Sequence, residues 1–261
     1  LNKTVKIRLD ALLVEKGIVQ SRERARAIIM AGSVMVNGSP LDKAGTRVDI
    51  DADISFKGGS LHNGRIIKEG DSPYVSRGGL KLAKALNHLQ LDINGMTCLD
   101  IGASTGGFTD CLLQSGAAKV YAVDVGYGQM DWSLRQDPRV EVIERTNIRY
   151  MPYETIGQSV DLITIDTSFI SLKIVVPAAE KFMTSETLTL ALIKPQFEAG
   201  KERIGKGGVI RDKVVRDEIV KEIELFFRQR GYETGDIIES PVRGPKGNVE
   251  FIISIKYLNR Q

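Results

Sequence analysis

The stretch Ile101-Gly102-Ala103-Ser104-Thr105-Gly106-Gly107-Phe108-Thr109-Asp110 decides the fold. An apolar run, Met96-Thr97-Cys98-Leu99-Asp100, leads into it, and the next apolar run, Val120-Tyr121-Ala122-Val123, closes on Asp124. A strand, a glycine turn, a helix and a second strand ending in a carboxylate make half of a nucleotide-binding α/β unit. The glycines admit a ligand against bare backbone, and the carboxylate can accept ribose hydroxyls. The turn does not read as a phosphate cradle. It lacks the Gly-Lys-Ser/Thr ending of a P-loop and the spacing G-x-G-x-x-G, and Asp100 at the strand tip would repel a pyrophosphate. S-adenosylmethionine, which carries an ammonium, a sulfonium and a ribose and no phosphate, is the ligand whose chemistry suits it.

Outward from this turn, strand and helix alternate from Tyr74 to the end of the chain. Leu82, Leu86 and Leu89 mark a helix after Gly78-Gly79. Strands are expected at 97–101, 119–124, 140–144, 160–166 and 187–194, with helices near 107–116, 128–135, 172–183 and 212–229. Val215, Ile219, Ile223 and Phe226 give the last helix one apolar stripe, and Gly231 stops it. Two further strands, near 233–240 and 248–256, are separated by Pro241 to Gly247 and read as an antiparallel pair. The expected architecture is α/β: a mostly parallel, Rossmann-like methyltransferase sheet with an antiparallel C-terminal end. A ligand should lie at the carboxyl ends of the strands, where the glycine turn, Asp124 and Asp166 fall.

The 261 residues suffice for one large core, or for one ordinary domain plus a small one. Net charge is only +3, so any nucleic-acid role rests on where the basic residues sit. Cys98 and Cys111 stand in apolar contexts without C-x-x-C spacing, which favours buried thiols over a disulfide or a metal site. His62 and His88 are the only histidines, too few for a histidine-rich metal centre. With no run approaching the roughly 18 to 20 apolar residues of a membrane span, and no apolar signal core, no stable membrane association and a cytoplasmic location are expected.

Ahead of the α/β region, Leu9, Leu12 and Leu13 repeat at helical spacing up to Gly17, and Ser21 opens a second helix that ends at Gly32. Val34-Met35-Val36-Asn37-Gly38 and Arg47-Val48-Asp49-Ile50 read as strands with an Asn-Gly turn. The motifs R-L-D-x-L-L, S-R-x-x-A-x-x-x-I-x-x-G and V-x-V-N-G together resemble the S4 RNA-binding module, over about residues 7 to 56. That resemblance implies that the second helix and the following loop track RNA, with Arg8, Arg22, Arg24, Arg26 and Lys43 near phosphates. Read from composition alone, the same arginines make an ordinary solvated helix face. The expected organisation is an S4-like domain over 1–56, a mobile linker over 57–73 in which Ile66-Ile67 could form a short strand, and a catalytic domain over 74–261.

Four ionisable residues stand at informative places: Lys81 on the first helix of the α/β region, Asp166 and Lys194 at strand tips, and Glu250 within the final strand. A lysine closing the run Leu188 to Ile193 needs a carboxylate partner, since an unpaired buried ammonium is costly. Asp166 and Glu250 are the candidates. These positions lie in segments, Val75 to Leu82, Asp100 to Gln114, Tyr121 to Gln129, Asp166 to Leu172, Lys194 to Glu198 and Gly247 to Phe251, that together resemble the TlyA/hemolysin A family along essentially the whole chain. The family's catalytic part is similar to the FtsJ type of RNA ribose methyltransferase, whose K-D-K-E set falls on Lys81, Asp166, Lys194 and Glu250.

The resemblance implies methylation of a ribose 2′-hydroxyl of ribosomal RNA, at cytidines, with rRNA or ribosomal subunits as partner. A ribose hydroxyl is a poor nucleophile until its proton is leaving, whereas a sulfonium methyl needs only in-line placement, with no metal. Lys194 is read as the base or the holder of the developing alkoxide. For the cofactor, Gly102, Ser104 and Gly107 are assigned to backbone approach, Asp124 to the ribose hydroxyls and Asp100 to the amino-acid end, directly or through water. Asn147 is assigned either to the adenine or to capping its own turn. Asp166-Thr167 departs from the family's Asp-Val but leaves the carboxylate in place, and the linker is longer than typical.

The rival classes are a membrane-active hemolysin and an RNA-binding protein on a non-catalytic methyltransferase fold. No long amphipathic basic helix supports the first, and the complete tetrad with its glycine turn argues against the second. A serine hydrolase is weaker still, for want of a G-x-S-x-G elbow.

Overall fold

A computed structural model describes residues 5–19, 21–62, 65–68, 72–205 and 207–258. The chain divides into two compact units, Leu1–Pro73 and Tyr74–Gln261.

In the first unit, β1 (Lys6–Arg8) runs straight into α1 (Leu9–Glu15), and α2 (Arg22–Met30) follows. Ser21 caps α2 by accepting from the Arg24 amide. Leu9, Leu12 and Leu13 of α1 and Ala25 and Ile29 of α2 form one buried cluster. Val34 and Val36 of β2 (Val34–Val36) complete it from the sheet side. Asn37 and Gly38, both at positive φ, turn β2 back into β3 (Ser39–Leu41), the conformation a two-residue hairpin demands. β4 (Arg47–Asp49) pairs with β1, and β5 (Ile54–Phe56) pairs with β2.

The segment from 57 to 73 differs from the linker read from sequence. It holds β6 (Gly59–His62) and β7 (Arg65–Lys68), which contains Ile66-Ile67, and both extend the antiparallel sheet to the order β3-β2-β5-β6-β7. Gly58 at φ +79° makes the tight return after β5. Main-chain pairing needs no apolar period, so of this hairpin the sequence marks only the pair Ile66-Ile67, where a short strand is expected. Residues 63, 64 and 69 to 71 of the segment lie outside the described residues.

The second unit begins with α3 (Gly78–His88), then β8 (Thr97–Ile101), α4 (Gly107–Gln114), β9 (Lys119–Val123), α5 (Trp132–Arg135), β10 (Val140–Ile143) and β11 (Leu162–Ile165). It continues with α6 (Leu172–Ala179), β12 (Leu188–Ile193), α7 (Pro195–Glu198), α8 (Lys213–Gln229), β13 (Tyr232–Glu239) and β14 (Phe251–Tyr257). The strands form one sheet in the order β10-β9-β8-β11-β12-β14-β13. Pairs are parallel except at β14, which runs against both β12 and β13. The α/β expectation, with its antiparallel C-terminal end, is borne out.

Successive side chains of the central strands enter opposite cores, as a sheet covered on both faces requires. Leu99 and Ile101 pack with α6 and α8, while Cys98 packs with α3 and α4. Two helices are shorter than their patterns suggest. The one expected at 128–135 is the single turn α5, started late by the Asp131 cap, and the one expected at 172–183 passes from α6 into a 3-10 turn, Glu180–Phe182. The final strand starts at Phe251, so Glu250 stands just ahead of it. The chain order steps outward from β8 through β9 to β10 and then returns to β11 on the other side. This places a topological switch point, and hence a crevice, at the carboxyl ends of β8 and β11.

Candidate active site

The glycine turn fills the end of that crevice. Gly102, at φ +84°, leaves β8 so close to the tip of β11 that a Cβ there would lie 2.7 Å from the Asp166 carbonyl oxygen. Only glycine fits both the dihedral and the space. Ser104 itself sits at φ +49°, and its amide donates to Asp124 Oδ2 at 2.8 Å, while the Gly126 amide donates to Asp124 Oδ1 at 2.6 Å. One carboxylate therefore ties the turn to the loop after β9. The Ser104 hydroxyl extends the tie to Gln129 Oε1 at 3.2 Å.

Beside the turn opens a cavity of about 250 Å³. Gly102, Ser104 and Gly107 line one wall, Lys81 and Asp166 another, and Ser76, Arg77, Arg243 and Gly244 complete it. Along its edge runs a chain of alternating charges. Glu250 Oε2 lies 2.7 Å from Lys81 Nζ, Lys81 Nζ lies 3.6 Å from Asp166 Oδ2, and Asp166 Oδ1 lies 2.6 Å from Lys194 Nζ. Lys194 also donates to the Ser168 hydroxyl at 3.1 Å. Glu250 is fully buried and the two lysines nearly so, while Asp166 remains partly open. Two cations and two anions cancel, which is what permits four ionic groups to share a dry site.

The four come from four elements: α3, the tips of β11 and β12, and the loop ahead of β14. Each has a local reason to be there. Pro195 at the first position of α7 stops β12 immediately after Lys194. Gly244 lets Glu250 in, since a Cβ at 244 would stand 1.9 Å from Glu250 Oε1. Asn248 fixes the loop ahead of β14 by accepting from the Ile210 amide and donating to the Gly208 carbonyl. Glu198 joins the Lys194 and Asp166 loops: it accepts from the Ser171 hydroxyl at 2.5 Å and from the Leu172 amide at 2.8 Å. Burial pushes its carboxyl above the ordinary glutamate value, against the pull of those two donors. Phe197 packs at a tilt against the exposed Phe169 across the same pair of loops, centroids 4.9 Å apart.

Of the two ways in which Asp100 is assigned to the cofactor, directly or through water, its position closes the direct one. It is fully buried beneath the turn, where its two oxygens accept from the Thr109 and Thr164 hydroxyls at 2.7 and 2.9 Å, so direct contact with a ligand in the cavity is closed to it. Burial pushes its carboxyl up to about 6. Asn147 accepts from the Arg149 amide at 3.1 Å, the turn-capping geometry, and does not line the cavity. Arg8, Arg22, Arg24, Arg26 and Lys43 belong to the first unit, and all five are exposed. Sequence reasoning missed Ser168, Glu198, Arg77, Arg243 and Gly244. Glu198 and Ser168 lay inside quoted segments, but their partners are distant in sequence, and nothing local marks Gly244.

Residues 74–257 match the model of the FtsJ-like methyltransferase family, and residues 7–54 match the S4 domain. The chain belongs to the FtsJ-like methyltransferase family. Among its relatives, YqxC of Bacillus subtilis is 45% identical over 97% of this chain and 86% of its own. The 16S/23S rRNA (cytidine-2′-O)-methyltransferase TlyA of Mycobacterium tuberculosis is 42% identical over 95% of this chain and 89% of its own. A solved structure from Streptococcus thermophilus, described as a hemolysin, matches at a TM-score of 0.69 and 40% identity, over 98% of this chain and 90% of the other. The TlyA/hemolysin A resemblance is thus borne out, and hemolysin-named and methyltransferase-named members share one FtsJ-like architecture. No described helix of this member is long and apolar enough to cross a membrane.

Proposed function

We propose that this chain transfers a methyl group from S-adenosylmethionine to the 2′-hydroxyl of a ribose in ribosomal RNA, at a cytidine. The observation that carries the reading is the chain Glu250, Lys81, Asp166, Lys194 along the edge of a cavity whose other wall is the glycine turn. The naming of the TlyA relative supports the substrate.

The residues present suit the cofactor. Gly102 and Gly107 present bare backbone to the cavity, and a Cβ at either would collide with Asp166 or Ser76. Asp124 accepts two amides and has lone pairs left for two ribose hydroxyls. The cofactor, when bound, supplies a methyl group activated by a sulfonium. Asp166 and Glu250 hold the two ammonium groups in place. As an ammonium, Lys194 Nζ, at the end of the charge chain, stands to stabilise the oxygen that loses its proton; to accept that proton it must first give up one of its own. Arg77 and Arg243 at the cavity wall suit the phosphates that flank a target ribose. Ribosomal RNA as substrate would place the work in the cytoplasm.

The test supplies intact ribosomal subunits and naked rRNA with methyl-labelled cofactor and maps the product. Label on a ribose, seen as local resistance to alkaline hydrolysis, is expected. Label on a base, or none on either substrate, would sink the reading.

A further inference from the structure

The first unit contains a second ionic cluster, of opposite design. Asp10, in the first turn of α1, has a side chain with no exposure, yet three guanidinium groups reach it from the surface. Arg8 donates through Nε and Nη2 to its two oxygens at 3.0 and 2.9 Å. Arg22 Nη2 lies 3.3 and 3.2 Å from the same oxygens, and Arg26 Nε lies 3.3 Å from Oδ2. Arg22 and Arg26 share a face of α2, four residues apart. The side chains of Arg8, Arg22 and Arg26 remain 45 to 52% exposed, and each guanidinium has more donors than it gives to Asp10.

Three positive charges and one negative leave two in excess, so the cluster is not a self-satisfied ion pair. Left alone, three guanidinium groups would spread apart by mutual repulsion and by the rotamer freedom of long side chains. Asp10 cancels part of the repulsion and fixes their positions before any ligand arrives, which lowers the ordering cost of binding. The neighbouring loop is tied down as well. The Leu9 and Asp10 amides donate to the Thr46 and Ala44 carbonyls, and Gly45 lies against the Arg8 guanidinium, so the loop carrying Lys43 borders the cluster. Planar forks held in register suit the oxygens of a phosphodiester.

We propose that Asp10 is the positioning residue of a phosphate-binding site formed by Arg8, Arg22 and Arg26, and that this anion strengthens the hold of the first unit on the RNA backbone. The inference rests on the reading of the chain as an RNA-modifying enzyme. It makes a prediction of unusual sign. Asp10→Asn raises the formal net charge from +3 to +4, and simple charge counting makes the variant bind RNA more tightly.

The experiment measures affinity of the full chain for a labelled rRNA fragment across a salt series, for wild type, Asp10→Asn, Arg8→Lys and the double variant Arg22→Glu/Arg26→Glu. Cofactor binding by calorimetry and thermal unfolding run alongside. The expected result is RNA binding about tenfold weaker in Asp10→Asn, with a shallower salt slope and cofactor affinity within twofold. Arg8→Lys keeps the charge and loses the fork, and it is expected to weaken binding as well; it decides the matter if Asp10→Asn proves poorly folded. Unchanged or tighter binding by Asp10→Asn and Arg8→Lys, with the double variant weakened, overturns the positioning role and leaves RNA binding by the first unit standing. Unchanged binding in all three variants overturns both.

Discussion

The two ionic clusters of this chain are built on opposite plans. In the first unit one buried carboxylate gathers three half-exposed guanidinium groups and leaves two positive charges uncompensated. In the second, two carboxylates and two ammonium groups alternate in a nearly closed site and cancel. An open cluster with excess charge attracts a polyanion. A closed neutral one has nothing left with which to attract, and what it provides is geometry: donors and acceptors held in fixed positions, which the proposed removal of a hydroxyl proton would use. The difference teaches that a charged residue's role is read from the balance and exposure of its cluster rather than from its own sign.

The largest expected effect breaks the closed cluster. Lys194→Ala should lower methyl transfer by about 10²- to 10⁴-fold, the usual worth of a positioned acid-base group, with cofactor affinity in calorimetry nearly kept. Turnover within a few-fold of wild type would remove Lys194 from the chemistry. Salt then separates the clusters. If the three arginines neutralise three phosphates, RNA affinity should fall roughly 20- to 40-fold between 50 and 200 mM salt, whereas cofactor affinity should change less than twofold. Equal salt slopes for the two ligands would erase the contrast.

A pair of glycines tests rigidity. Gly244→Ala would drive a methyl into the Glu250 carboxylate, and overpacking of roughly 1 to 3 kcal/mol with a clear loss of turnover is expected. At Gly45 the nearest obstacle is the Arg8 guanidinium, 3.3 Å away at the end of a flexible side chain, so Gly45→Ala should cost under about 0.5 kcal/mol. Chemical unfolding of both variants, read beside wild type, shows whether the two sites differ in this way.

A further contrast concerns the buried aspartates. The Arg8 guanidinium first, helped by Arg26 and Arg22, holds the Asp10 carboxyl well below the ordinary range in spite of burial, so its stabilisation is in force above about pH 4 and is lost as pH falls below that. Asp100 has hydroxyl and backbone partners but no counter-charge, and burial raises it from 3.8 to about 6. Between those values the folded state holds more protons than the unfolded chain, so stability declines as pH rises through that window and stays lowered above it. Asp100→Asn should therefore gain about 1 to 2 kcal/mol at pH 8, under a ceiling of ~3 kcal/mol set by the shift, and show a flatter profile from pH 4 to 6. Urea midpoints at pH 4.5 and 8 decide it: a variant equally weakened at both would mean that the hydroxyl contacts, not ionisation, dominate.

Much of this was legible before any coordinates. The run into Gly102 and the carboxylate at Asp124 marked the strand, turn and strand that build the crevice, because strand tips and glycine turns are local features. Lys194 stood out because an ammonium closing an apolar strand demands a partner. The hairpin of β6 and β7 left only the apolar pair Ile66-Ile67 as a mark, since its main-chain bonds carry no hydrophobic signature. Asp100 misled for a related reason: its place at a strand end suggested access to ligand, while Thr109 and Thr164, from a helix and a neighbouring strand, close over it.

By itself, the sequence determined the parallel sheet with its reversed final strand, the glycine turn and the four residue types of the tetrad, because periodicity and turn chemistry act over a few residues. Only tertiary structure decided that Lys81 and Glu250, 169 positions apart, share a hydrogen bond, that Gly244 clears space for it, and that Arg22 and Arg26 of the helix face converge with Arg8 on one buried aspartate. Those outcomes depend on which carboxylates the fold removes from water. A charge so removed must find its counter-charge in space, wherever that lies along the chain.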